Sequence, residues 1–124
     1  MKPKNKKIVS FTDLIAWQKG HKLVLDIYKI TEKFPQKETY SLIDQMRRAV
    51  VSITSNLAEG FGRQTYKDKI HFYYLSQGSL IELKNQLLIA KDIKYFKLTT
   101  KFIDQVNEVH KLVQGLITAS KKRA

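Results

Sequence analysis

At 124 residues with 43% hydrophobic side chains, the chain has the size of one domain and can bury one core, which argues against wholesale disorder. It has no cysteine, which excludes a disulfide scaffold, thiolate metal sites, thiol nucleophiles and Fe–S ligation, and fits a reducing cytosol. Lys+Arg 23 against Asp+Glu 11 leaves +12; Lys2, Lys4, Lys6 and Lys7 with Lys121, Lys122 and Arg123 carry seven of these charges at the chain ends, so 12 less 7 leaves +5 on the body.

Four segments carry apolar residues at helical spacing. The first opens at Ser10-Phe11-Thr12-Asp13, an S-x-x-D start resembling a capping box. Its stripe is predicted at Leu14, Trp17, Val24 and Tyr28, and Pro35 disfavours helix at Phe34 and stops it. The second runs from about Thr39 to Glu59, with Leu42, Met46, Ala49, Val50, Ile53 and Leu57 facing one way and Gly60 as a left-handed stop. The third begins at Thr65-Tyr66-Lys67-Asp68 and continues to about Lys94, with Tyr73, Ser76, Leu80, Leu83, Leu87 and Ala90 inward. The fourth spans about Thr99 to Ser120, with Phe102, Val106, Val109, Val113 and Leu116 at a/d spacing.

No segment alternates with period two, and two prolines and five glycines are too few for a turn-rich β-sandwich. The expected fold is all-α: an antiparallel up-down-up-down four-helix bundle over residues 10–120, between basic tails at 1–9 and 121–124. No apolar run approaches the roughly 18–20 residues that span a bilayer, and the charged start leads into no signal-peptide core.

Two stripes are not explained by this core. On the second segment Gln45, Arg48, Ser52, Asn56 and Glu59 share one sector, and on the third Phe72, Leu75, Gly78, Ser79, Glu82 and Gln86 share a flank. They are rich in small, amide and carboxylate groups, and a mid-helix Gly78 costs about 1 kcal/mol by propensity. Either they form a polar seam, inside the bundle or between subunits, with Arg48 and Glu82 in one hydrogen-bonded network, or they are ordinary surface.

Catalytic signatures are missing. His21, His71 and His110 fall on three different segments, and Asp68-x-x-His71 has no second copy of the kind a di-iron bundle needs. Gly60-Phe61-Gly62 lacks a preceding strand and a Walker lysine, and there is no H-E-x-x-H. The expectation is a protein without catalytic residues, cofactor or metal. The stretch from Gly60 to Lys69 interleaves Phe61 and Tyr66 with Arg63, Lys67 and Lys69, the composition of a stacking and phosphate-binding surface, although the two rings could instead cap the end of the core.

The chain resembles the bacterial four-helix-bundle proteins encoded in intervening sequences of 23S ribosomal RNA genes. The likeness rests on F-x-D-L-x-x-W-Q-K at Phe11, Asp13, Leu14, Trp17, Gln18 and Lys19, and on I-Y-x-x-T-x-x-F-P at Ile27, Tyr28, Thr31, Phe34 and Pro35. It continues in E-x-Y-x-L-x-x-Q-x-R-R-A-x-x-S-I-x-x-N-x-A-E-G from Glu38 to Gly60, then Gly62-Arg63, Phe72, and G-S-x-x-E-L at Gly78, Ser79, Glu82 and Leu83. Ser76 stands where the family often has Ala, and Lys94 where a Gly before Tyr95 is common. The resemblance implies a homo-oligomer, typically a pentameric ring. It also implies similarity to the accessory proteins of diversity-generating retroelements, which bind nucleic acid and a reverse transcriptase.

Charge and resemblance together give the leading expectation: a basic, oligomeric, nucleic-acid-binding protein of the cytoplasm, RNA-directed through sequence-independent phosphate contacts. Its contact residues would be Lys4, Lys6, Lys7, Phe61, Arg63, Tyr66, Lys67, Lys69, Lys121, Lys122 and Arg123. The alternative is an oligomeric scaffold for a protein partner such as a reverse transcriptase. In either case no membrane partner is expected.

Overall fold

The computed structural model describes residues 7–124. Ser10 and Asp13 do close a reciprocal box: the Ser10 hydroxyl accepts from Thr12 N at 3.2 Å, and Asp13 Oδ2 accepts from Ser10 N at 3.0 Å. The box caps a single 3₁₀ turn, Phe11–Asp13, and the first α-helix, α1 (Ile15–Glu32), starts after Leu14. Phe34-Pro35 ends it as expected, and a second 3₁₀ turn at Gln36–Glu38 leads into α2 (Leu42–Phe61). Thr65 caps α3 (Tyr66–Asp92) by accepting from Asp68 N at 3.1 Å, and Thr99 caps α4 (Thr100–Arg123) by accepting from Phe102 N, also at 3.1 Å. Among the described residues there are four α-helices and no strand.

Each helix packs on two others: α2 on α1 and α3, and α4 on α3 and α1. One core results, with Leu23, Ile27, Met46, Val50, Ile53, Leu57, Leu80, Leu83, Val109, Val113 and Ile117 fully buried. Each such side chain contributes about 1.5–3 kcal/mol relative to exposure. Polar ties fix the helices around it. Ser76 Oγ donates to Ile53 O at 2.8 Å, Gln77 Nε2 to Gln114 Oε1 at 2.6 Å, and Gln105 Nε2 to Asp26 Oδ2 at 2.6 Å.

Four local expectations are corrected. The inward stripe of α1 is Ala16, Gly20, Leu23, Ile27 and Thr31, not Trp17, Val24 and Tyr28, which lie on its flank. The reason is Gly20: a Cβ there would stand 3.1 Å from Thr54 Cγ2, so α1 presses its small residues against α2. Gly60 is an ordinary helical residue, and α2 runs on to Phe61 with Gly62 as its right-handed cap at φ −76. What requires glycine at position 60 is space, since a Cβ would meet Tyr73 Cε1 at 2.7 Å. The left-handed position falls instead at Lys94, φ 66, where Tyr95 N donates to Ala90 O at 2.9 Å and closes α3. Lastly, Lys121, Lys122 and Arg123 are the final turn of α4, so that basic segment is helix rather than tail.

Candidate nucleic-acid interface

Three consecutive aromatics on α3 organise the basic residues. At 100° per residue Phe72, Tyr73 and Tyr74 must point three ways. Tyr73 is buried in the core, while the rings on either side meet cations. The Arg63 guanidinium stands 4.5 Å over Phe72 and also pairs with Glu59 at 3.0 Å. Lys121 Nζ stands 5.2 Å over Tyr74. About two turns nearer the start of α3, Arg123 lies 5.8 Å over Tyr66 and donates to its hydroxyl at 3.3 Å. Lys69 Nζ donates to Phe61 O at 2.6 Å and lies 5.4 Å from that ring. A cation at the carbonyl end of α2 is where the helix dipole favours it.

The end of α2 and the end of α4 therefore each set cations against rings beside the start of α3, Arg63 and Lys69 on one flank and Lys121 and Arg123 on the other. Exposed cation–π contacts contribute about 0.5–1 kcal/mol each, enough to orient long side chains without burying their charge. Phe61 and Tyr66 are both half-buried, and each carries its own cation over one face. They thus position charge in addition to offering flat surface. Lys67, Lys122 and Lys7 are exposed. Lys4 and Lys6 lie outside the described residues, as does Lys2. Phe72 and Tyr74 are the contributors missed from the sequence, and their signal was the triple aromatic run itself.

Of the polar stripes, the structure brings together Ser52, Asn56 and Ser79. Ser79 Oγ donates to Ser52 Oγ at 2.8 Å, and Asn56 Nδ2 donates to Ser52 Oγ at 3.0 Å and to Ser52 O at 2.9 Å. Most of the remainder faces outward, Gln86 excepted. Gln45 is exposed, Arg48 pairs with Asp44 at 3.0 Å, and Glu59 pairs with Arg63. Arg48 and Glu82 share no bond within the chain; Glu82 accepts from Gln86 Nε2 at 3.2 Å. Gly78 is exposed, with nothing within 4 Å of where a Cβ would be. Gln86 is 4% exposed, and its Oε1 is buried without a hydrogen-bond partner.

The three histidines stay apart. His21 stacks on Trp17, His71 meets the edge of Phe72, and His110 Nδ1 lies 2.7 Å from Lys84 Nζ. Burial and the Lys84 charge together hold His110 below the usual imidazole range, and burial likewise lowers Lys84. Among the described residues, no three His, Asp or Glu side chains are placed to hold a metal ion, and no helix is long and apolar enough to cross a membrane.

Four helices packed around one core, with cation–ring pairs on both flanks of α3, make the described residues all-helical, without a strand. The chain belongs to the 23S rRNA-intervening sequence protein family, whose model matches residues 12–115. A search of curated proteins finds no match to the chain.

Proposed function

We propose that this chain is a non-enzymatic, homo-oligomeric nucleic-acid-binding protein of the cytoplasm, directed to RNA and associated with 23S ribosomal RNA intervening sequences. The observation that carries the reading is the cluster of Arg63, Lys69, Lys121 and Arg123 on Phe72, Phe61, Tyr74 and Tyr66, in a chain of net charge +12. The helices follow an up-down-up-down course, a reading supported by the pairings Gln77–Gln114 and Lys84–His110 between α3 and α4. That course brings Lys7 to the same end as the cation–ring pairs. A pentameric ring points every copy of that end one way, and the charges add into one positive face. Self-association is supported by the apolar residues left exposed on α3, Leu75, Ile81, Leu88 and Ile89, and by the unpartnered Gln86 Oε1 two turns along α3 from the Ser52–Ser79 bond.

The test is RNA binding measured against salt. Log affinity falls linearly with log salt, and replacing Arg63 and Lys67 together by alanine weakens binding about equally across sequences, with a shallower slope. Binding of a reverse transcriptase with no affinity for RNA or DNA overturns this reading in favour of a protein scaffold.

A further inference from the structure

The basic cluster does not use the F-x-D-L-x-x-W-Q-K motif, yet the structure builds that motif into a ladder of rings. Phe11 sets its edge on Trp17 at 5.4 Å between centroids and 70° between planes. His21, one helical turn on, lies flat against Trp17 at 4.8 Å and 12°. The ladder is braced from behind. The Ser10–Asp13 box fixes the 3₁₀ turn that carries Phe11, and Gln18 Nε2 donates to Thr12 O at 3.0 Å, strapping that turn to α1.

Trp17 is half-buried against the core, whereas His21 is exposed. Beyond His21 the same flank of α1 continues through Leu25, 52% exposed, to Tyr28, 40% exposed, with the Arg47 guanidinium 4.5 Å over its ring. Burial in the core does not account for an exposed imidazole stacked flat on Trp17, on a flank that ends in a cation. Single-stranded nucleic acid is bound by this combination: fixed aromatic faces for bases and cations for phosphates.

We propose that the Phe11–Trp17–His21 ladder is a stacking station for a base of single-stranded nucleic acid, an inference that rests on the function proposed above. The base adds to the exposed face of His21 and extends the stack, with Trp17 and Phe11 holding the imidazole in plane. Lys7 and Arg47, on either side of the station along the chain, supply charge to the adjoining phosphates.

Trp17 is the one tryptophan in the chain, so its fluorescence reports the ladder alone. The full chain is titrated with a twelve-residue oligouridylate and, separately, with inorganic polyphosphate, while anisotropy of labelled oligonucleotide reports binding independently. Oligouridylate is expected to shift or quench Trp17 emission saturably, and polyphosphate to leave it unchanged. His21→Ala is expected to weaken oligouridylate binding by about five- to a hundredfold, the span that stacking of one base covers, and His21→Phe to restore most of the loss. Anisotropy that rises while Trp17 emission stays constant, or His21→Ala binding as well as the parent, overturns the station and leaves the basic cluster as the binding surface. An equal response to polyphosphate also overturns it. No binding of oligouridylate by either readout at low salt overturns both readings.

Discussion

Lys94 holds a backbone conformation that an L-residue adopts at a cost of roughly 1–2 kcal/mol relative to glycine, with φ 66 at the stop of α3. Because the left-handed turn is held by Tyr95 N on Ala90 O and by Lys94 N on Lys91 O, glycine there keeps every hydrogen bond and loses the strain. Lys94→Gly is expected to raise stability by about 1 kcal/mol in urea denaturation; a loss would show that the lysine side chain contributes more than its backbone costs. Gly60 has the opposite logic. Alanine gains about 1 kcal/mol of helix propensity, but its methyl would stand 2.7 Å from the Tyr73 ring, which is 3% exposed and has nowhere to go. Overpacking of this kind costs about 1–3 kcal/mol, so Gly60→Ala is expected to lower the melting temperature measured by circular dichroism. Ser76, which stands where relatives often have Ala, holds the Ile53 carbonyl, so its hydroxyl is satisfied rather than buried idle.

At the scale of elements, the apolar stripes of α2 and α3 were legible because each has one dominant inward face. All six stripe residues named on α3 are buried. On α1 the sequence offers two apolar flanks, and Trp17, Val24 and Tyr28 outweigh Ala16 and Gly20 in hydrophobicity although the latter face the core. What decides the matter is a distance, the close approach of Gly20 to Thr54, which periodicity does not encode. The charge of residues 121–123 reads as a tail, yet α4 runs through Arg123, because Lys121 and Arg123 rest on tyrosine rings that only tertiary structure supplies. Between α3 and α4, Lys84 Nζ donates to the unprotonated Nδ1 of His110. Burial and then Lys84 place the His110 pKa below its unfolded value of 6.5, so the unfolded chain binds the proton more readily. The contribution is complete above pH about 6.5 and is lost as pH falls through that value toward the folded pKa. Melting temperature should therefore decline from pH 7 to 5, and His110→Gln should flatten that part of the profile; an unchanged decline would place its origin elsewhere. Asp26 acts in a lower window. Burial would raise its pKa, but hydrogen bonds from Lys22 and Gln105 outweigh burial and hold the carboxyl below 3.8, so this stability is lost only in stronger acid.

For the whole molecule, composition showed the charge but not its arrangement. Arg123 lies far in sequence from Arg63 and Lys69, and only packing sets it on the Tyr66 ring at the start of α3. The polar stripes were half legible: Ser52, Asn56 and Ser79 do bond across α2 and α3, while Arg48 and Glu82 turn outward because each finds a partner one turn away. Gly78 then becomes the position that separates two molecular states. Nothing in the chain lies within 4 Å of it, so Gly78→Ala in a lone monomer gains about 1 kcal/mol of helix propensity. In an assembly that packs on this flank, Gly78→Leu blocks close approach, and light scattering should show it falling toward the 14.5 kDa monomer. A Gly78→Leu variant that keeps the parent's mass moves the subunit contact to another face.

The tight joint between α2 and α3 also bears on the order in which the chain folds. Only residues 62–65 separate these helices, which meet closely at Gly60 on Tyr73 and at Ser76 on Ile53. By contrast, α1 is tied to α4 through Gln105 and Asp26, 79 residues apart. Short loops close at least entropic cost, so the α2–α3 hairpin is expected to form the nucleus, with α1 joining after the barrier. In stopped-flow denaturant jumps, Ser76→Ala should slow refolding, while Gln105→Ala should leave refolding unchanged and speed unfolding.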